Sequence, residues 1–162
     1  PEGFEERVRG RGMVVKGWVR QMAILTHRAT GAFVTHLGWS SLNEGIMAGL
    51  PMITWPLAHD HFINERLVVD MLRLGVKMWG GFRSSLEEEA EKSPVSGEAI
   101  AAVVSRFAPP GSADEEVEAM RRRAGEYGDM LRAAVREGGS SYNDLGRLIH
   151  DLKAFRRQGG QS

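Results

Sequence analysis

The sequence predicts an α/β fold, a parallel sheet flanked by helices with further helices closing the chain. Three observations carry this. Four short apolar or β-branched runs, Met13–Lys16, Ala32–His36, Pro51–Trp55 and Val76–Trp79, lie in the first half of the chain. Helical segments fall between them, the alternation that builds parallel sheets through right-handed crossovers. Beyond Gly80-Gly81 the strand-like runs stop, and apolar residues recur at helical spacing instead.

The elements follow in order. A charged, Gly-rich lead-in loop is expected over residues 1–12, then a first strand at Met13–Lys16. Gln21–Leu25 suits one short helix, and Ala32–His36 a second, buried strand. Ser40–Ala48 predicts a helix, with Ser40 or Ser41 as its cap and Gly49 placed to end it. Pro51–Trp55 predicts a third strand, its proline at the first residue, where a missing N–H is tolerated. Asp60–Leu72 predicts a helix with Phe62, Leu67, Val68, Met71 and Leu72 near one face, followed by a fourth strand at Val76–Trp79. Phe82–Lys92 is polar and acidic and suits a surface loop or a partly helical excursion. A helix is expected from Ser93-Pro94 to Phe107, broken by Pro109-Pro110-Gly111-Ser112. Val117, Met120, Ala124, Tyr127, Leu131 and Val135 mark a long helix over Asp114–Arg136, ended by Gly138-Gly139. The last helix starts at Ser140 or Ser141 with Leu145, Leu148, Ile149, Leu152 and Phe155 on one face, and a tail from 158 to 162 is expected to be disordered. The domain proper thus runs from 13 to 157, with no internal repeat.

Composition narrows the function. A chain of 162 residues suffices for one domain with a usable core. Lys+Arg and Asp+Glu both number 21, so no net field draws in nucleic acid or an anionic membrane, and any phosphate must be held locally. The absence of cysteine excludes disulfides and thiolate metal sites and fits a reducing, cytoplasmic setting. No apolar run reaches the roughly 18 residues that span a bilayer. The opening PEGFEERVRGRG is no signal peptide, lacks an initiator Met and starts within a loop-like stretch, so the chain is expected to be a fragment. The Arg121-Arg122-Arg123 run beside Glu115, Glu116 and Glu118 is expected to be a solvated helix face with a weak Glu118–Arg122 pair.

Chemistry concentrates between Trp18 and His61, where polar and aromatic groups fall at strand ends and helix starts. Trp18, between a strand and a helix, can stack on a flat base such as uracil; taken alone, it is more often a core tryptophan. Gln21 offers a donor and an acceptor one turn on. His36 ends a strand and leads into Leu37-Gly38-Trp39-Ser40-Ser41. Gly38 permits a tight turn, so the unpaired amides of the next helix can face an anion, with two hydroxyls and the imidazole adding donors. An ordinary serine cap would look the same. Glu44, one turn beyond, can accept both ribose hydroxyls, or can serve as a capping-box glutamate. Asp60 and His61 open a helix after a strand and suit hexose hydroxyls. His59, Asp60 and His61 cluster, but no spaced further ligand makes them a metal site. Neither a G-x-G-x-x-G nor a Walker motif is present.

These residues resemble the signature box of plant secondary-product UDP-dependent glycosyltransferases. The match runs through Trp18, Gln21, His27, Gly31, Phe33, His36, Gly38, Trp39, Ser41, Glu44, Gly49, Pro51, Trp55, Pro56 and Asp60, and the flanks PEGFEERVRGRGMVVKGW and EGGSSYNDL agree. The resemblance implies the Rossmann-like C-terminal half of a GT-B enzyme. It implies a donor site with Trp18 on uracil, Val19 and Gln21 nearby, and Glu44 on the ribose. His36, Gly38, Ser40, Ser41 and backbone at Trp39 would hold the diphosphate, and Trp39, Asp60 and His61 the sugar. It implies inverting transfer of a hexose, glucose or galactose, from a UDP-sugar to a small-molecule hydroxyl such as a flavonoid's. Neither metal nor cofactor is needed, since amides and hydroxyls stabilise the leaving diphosphate. No catalytic residue is assigned here, because in this family the catalytic histidine and its aspartate belong to an N-terminal domain that nothing in this chain matches. The chain depicted is thus a monomeric donor-binding half with no nucleic-acid or membrane partner; the alternative is a non-catalytic relic that keeps the fold. Five positions depart from the family: Val19-Arg20 replaces Ala-Pro, Leu37 replaces Cys, Ser40 replaces Asn, and His61 replaces the Gln of glucosyl-transferring members, a change that often accompanies galactose use.

Overall fold

The computed structural model describes residues 3–81, 94–107 and 114–159. Three strands, β1 (Phe33–Thr35), β2 (Met52–Thr54) and β3 (Gly75–Lys77), form a parallel sheet in the order β1-β2-β3. Phe33 pairs with Met52 and Met52 with Gly75, so the three strands are in step and their carboxyl ends lie along one edge. The helices before the first gap are α1 (Phe4–Val8), α2 (Gln21–Leu25), α3 (Trp39–Ala48) and α4 (His61–Arg66), the last continuing as a π-helical turn over Leu67–Met71. Then come α5 (Gly97–Ser105), α6 (Glu115–Val135) and α7 (Ser140–Gly159). Among the described residues no helix is long and apolar enough to cross a membrane.

The core has two parts. Leu37, Leu42, Ile46, Met52, Val68, Leu74 and Ala124 pack between α3, the sheet and α6. Ile53, Met78, Phe107, Val117 and Met120 fill the other side of β2. All three residues of β2 are therefore buried, as the centre of a parallel sheet requires. Its Thr54 hydroxyl is satisfied within that core, donating to Glu65 Oε2 at 2.6 Å. Small residues let the layers close. A Cβ on Gly45 would stand 3.0 Å from Met52 Sδ, and one on Gly128 would stand 2.9 Å from the Ile46 carbonyl oxygen. Gly49 ends α3 in the left-handed conformation, φ 72°.

Several expectations change. Met13–Lys16 forms no strand: the run is exposed and meets no ladder, and an isolated extended run cannot satisfy its backbone through pairing. The lead-in is not all loop, since α1 lies within it. Ala32–His36 is only partly buried; Val34 is 46% exposed because β1 lies at the sheet edge among the described strands. Gly38, not Ser40 or Ser41, is the N-cap residue of α3, and no side chain caps that end. Met71 is 74% exposed because the π turn rotates it off the apolar face. The helix expected from Ser93-Pro94 begins at Gly97, where the Ser96 hydroxyl accepts from the Ala99 amide. Ser93 itself, the Phe82–Lys92 segment and the Pro109-Pro110-Gly111-Ser112 break lie outside the described residues. Helix α6 covers the expected span with Asp114 as its cap, but Val135 is exposed. Helix α7 extends through Gly159, into the start of the expected tail, and its Leu145, Leu148, Ile149, Leu152 and Phe155 face is exposed.

The arginine run is not a uniform solvated face. Arg121 donates from Nη1 to the Gly31 carbonyl at 2.6 Å and from Nη2 to the Phe107 carbonyl at 2.8 Å. Its ion pair is with Glu118, three residues back, in place of the expected Glu118–Arg122 pair. Arg123 reaches the Arg73 carbonyl at 3.0 and 3.1 Å. Helical spacing sends neighbours to different faces, and only Arg122 of the three is exposed. Arg121→Met is expected to lower stability by about 2 kcal/mol, leaving two carbonyls short of a charged donor. Arg122→Met is expected to stay within about 0.5 kcal/mol of wild type. Urea denaturation of both variants checks the contrast.

Candidate functional site

The expected site residues form two clusters, joined through the loop that enters α3. The first is a depression of about 540 Å³ lined by Gly17–Met22, Ser40, Ser41 and Glu44. It lies between the start of α2 and the first turns of α3. Gly17, at φ 127°, turns the chain out of the lead-in. Trp18 then stands 96% exposed, so the core reading of this indole does not hold. Gln21, the first residue of α2, donates from Nε2 to Glu44 Oε2 at 2.5 Å. That bond fixes the carboxylate toward the depression, and it replaces the capping-box role: Glu44 sits at the sixth position of α3, bonded across to another helix.

The mouth of α3 follows from the strand before it. The first bond in which an α3 amide reaches back four residues runs from Leu42 N–H to Gly38 C=O at 3.0 Å. The amides of Trp39, Ser40 and Ser41 precede it and have no partner within the helix. With the helix dipole they make an electropositive opening, and the two serine hydroxyls stand beside it. Trp39 is exposed at its rim. Leu37 enters this turn at φ 67°, a left-handed conformation that costs a branched side chain about 1–2 kcal/mol. Its side chain is fully buried, its N–H donates to Thr35 Oγ1 at 3.1 Å, and its carbonyl accepts from Asn64 Nδ2 at 2.9 Å. Gly38 lets the His36 ring lie close over the turn, since a Cβ there would stand 2.6 Å from His36 Nε2 and move the ring aside.

The second cluster lies beyond the carboxyl ends of β1 and β2. The His36 and His61 rings meet edge to face, with centroids 4.8 Å apart. His61 Nδ1 accepts from the Ala58 amide at 3.1 Å and the Leu57 amide at 3.4 Å. An accepting Nδ1 puts the proton of the neutral ring on Nε2. Asp60 caps α4 in position, yet its carboxylate is held by Asn64 Nδ2 at 2.7 Å instead of by a backbone amide. Burial and then the neighbouring His36 lower the His61 pKa, against a smaller opposing pull from Asp60. The folded state therefore favours neutral His61. Its contribution to stability is present above the ordinary histidine value and is lost as pH falls below it toward the depressed folded value. In an NMR titration His61 should titrate below free histidine, and His61→Gln should flatten this part of the stability profile.

The lining of the depression does not include His36, Trp39, Asp60 or His61. They connect to it only through the His36–Gly38–Ser40 turn. Among the described residues no group of three His, Cys, Asp or Glu is placed to hold a metal ion. His27 and His150 stay peripheral: the first accepts from the Ala29 amide at the end of α2, and the second is exposed on α7. Sequence reasoning overlooked Asn64 and Thr35, which shape the site without being expected to face it. A signal existed for Asn64, a polar residue one helical turn after Asp60 in the helix that the pair opens.

Comparison with known proteins decides what this arrangement belongs to. Residues 5–78 match the family model described as UDP-glucoronosyl and UDP-glucosyl transferase. The chain belongs to the UDP-glycosyltransferase family. It is 41% identical over 159 residues to scopoletin glucosyltransferase of Nicotiana tabacum, covering 98% of this chain and 32% of that protein. Among solved structures it resembles Glycyrrhiza uralensis UGT73P12, complexed with glycyrrhetinic acid 3-O-monoglucuronide. That superposition has a TM-score of 0.84 and 37% identity, over 96% of this chain and 31% of the other. Medicago truncatula UGT71G1, complexed with UDP-glucose, superimposes with a TM-score of 0.76 and 31% identity, over 94% and 31%. The chain thus spans about a third of the length of the proteins it matches. The fold of this UDP-glycosyltransferase chain is accordingly the α/β, Rossmann-like arrangement of a GT-B glycosyltransferase, as the sequence predicts.

Proposed function

We propose that this chain is the donor-binding part of an inverting UDP-glycosyltransferase that moves a hexose from a UDP-sugar to a hydroxyl of a small molecule. The observation that carries the reading is the depression in which an exposed Trp18, the Gln21–Glu44 pair and Ser40-Ser41 stand side by side. Those groups supply, in order, a stacking plane for uracil, a carboxylate for two ribose hydroxyls, and donors for a diphosphate. The Val19 backbone lies beside the base. His36, Gly38 and the amides at Trp39 continue the diphosphate grip, and Trp39, Asp60 and the Nε2–H of His61 face the hexose.

In the reaction, the acceptor oxygen forms a bond to the anomeric carbon while the bond from that carbon to the UDP oxygen breaks. Charge grows on the departing diphosphate, where fixed amides and hydroxyls are worth most. This chemistry calls for no metal, so EDTA should leave UDP affinity unchanged. The acceptor proton goes to a base contributed from outside these residues, and the chain alone should bind donor without transferring sugar. Glucose is the favoured hexose for the family, and His61 keeps galactose as the second. The structure of UGT71G1 with UDP-glucose supports a UDP-hexose donor.

Calorimetric titration with UDP, UDP-glucose and UDP-galactose tests the reading, with Trp18→Ala as the control for the base. The expected result is UDP binding that Trp18→Ala weakens about tenfold, the worth of about 1.4 kcal/mol of stacking. No UDP binding, or binding indifferent to Trp18, sinks the assignment.

A further inference from the structure

We infer that Asn64 is a positioning residue that ties the hexose end of the donor site to the diphosphate end through its single side-chain amide. Asn64 is 5% exposed on α4. Its Nδ2 lies 2.9 Å from the Leu37 carbonyl oxygen and 2.7 Å from Asp60 Oδ2. Both partners are pure acceptors, so the amide must present its NH₂ to them, and its two hydrogens are both spent.

What these hydrogens hold is specific. Leu37 stands between His36 and Gly38 and carries the left-handed φ of 67° that aims the α3 amides. A residue in that region persists only where its surroundings over-determine it. Thr35 Oγ1 holds its N–H, Asn64 holds its carbonyl, and the core holds its side chain. The other hydrogen fixes Asp60, which lacks any backbone cap bond to orient it. Asn64 therefore holds, with one planar unit, the chain neighbours of both rings of the His36–His61 contact, Leu37 beside His36 and Asp60 beside His61. Replacing it frees a strained turn and a carboxylate together, and both face the donor. The depression that takes base and ribose lies outside its reach, since neither Leu37 nor Asp60 lines it.

This inference rests on the donor-site reading above, and the test separates the two. ¹⁵N-labelled chain is titrated with uridine and with UDP, for wild type, Asn64→Asp and Asn64→Leu. Asn64→Asp keeps the shape but presents an acceptor to two acceptors; Asn64→Leu keeps the volume without either bond. Both variants should hold uridine within about twofold of wild type and lose about tenfold in UDP affinity. Equal losses for uridine and UDP, or none for either, would leave Asn64 a purely structural residue and overturn the inference while the donor site stands. Failure of the wild type to bind either ligand overturns both. Should the variants not fold, the wild type decides alone. UDP should shift the Asn64 side-chain NH₂ resonances and uridine should not, and an NH₂ signal indifferent to UDP defeats the proposal.

Discussion

Glu44→Ala is expected to weaken UDP binding about a hundredfold. Two charge-assisted hydrogen bonds to ribose hydroxyls, at about 1.5 kcal/mol each, make ~3 kcal/mol, and each 1.4 kcal/mol is about a factor of ten. The loss is concentrated at Glu44 because Gln21 already occupies one of its oxygens at 2.5 Å and holds the carboxylate in place. Gln21→Ala should therefore cost less, about fivefold, since the carboxylate remains but must be ordered on binding. The decisive comparison uses 2′-deoxy-UDP. Wild type should prefer UDP over the deoxy analogue, and Glu44→Ala should bind the two alike. A wild-type protein that cannot tell them apart would remove Glu44 from the ribose.

The largest expected effect on stability is at Gly75. Its Cα pairs with Met52 across the parallel ladder, and a Cβ there would stand 2.6 Å from the Met52 carbonyl oxygen and 2.9 Å from Val68 Cγ1. The first neighbour is backbone of the central strand and cannot rotate away. Gly75→Val is expected to cost about 3 kcal/mol or more, the upper end of overpacking, by prying β3 from β2. Gly125→Ala should go the other way. Gly125 lies within α6 with nothing within 4 Å of its would-be Cβ, so alanine adds helix propensity worth about 0.5–1 kcal/mol. Thermal unfolding followed by circular dichroism should move the two midpoints in opposite directions. A Gly75→Val midpoint equal to wild type would mean that β3 does not sit against β2 as described.

The parts legible in the sequence were those set by local rules. The runs at Ala32–His36, Pro51–Trp55 and Val76–Trp79 became paired strands within a residue or two of their expected limits, because each is short, apolar and bounded by turns. Gly49 ended α3 for the reason its type suggests. Met13–Lys16 has the same composition and made no strand, since β-branching states a preference while a ladder needs a neighbour. Met71 and the arginine run failed for a related reason. Ideal helical spacing does not register a π turn, and it does not say which carbonyls a long guanidinium will find.

The site divides the same way. By itself the sequence determined the candidate groups and their order, from Trp18 through Gln21, the His36–Ser41 turn and Glu44 to Asp60 and His61, because an open α/β sheet offers a ligand the places where strands end and helices begin. Only the tertiary structure decided which groups act on one another. It turned Trp18 out to solvent, set Gln21 against Glu44 across two helices, brought His36 against His61, and reached Asn64 back to a strained Leu37. These are contacts between residues 23 to 27 positions apart. No local propensity encodes them, since they exist only once parallel strands have laid their carboxyl ends along a common edge.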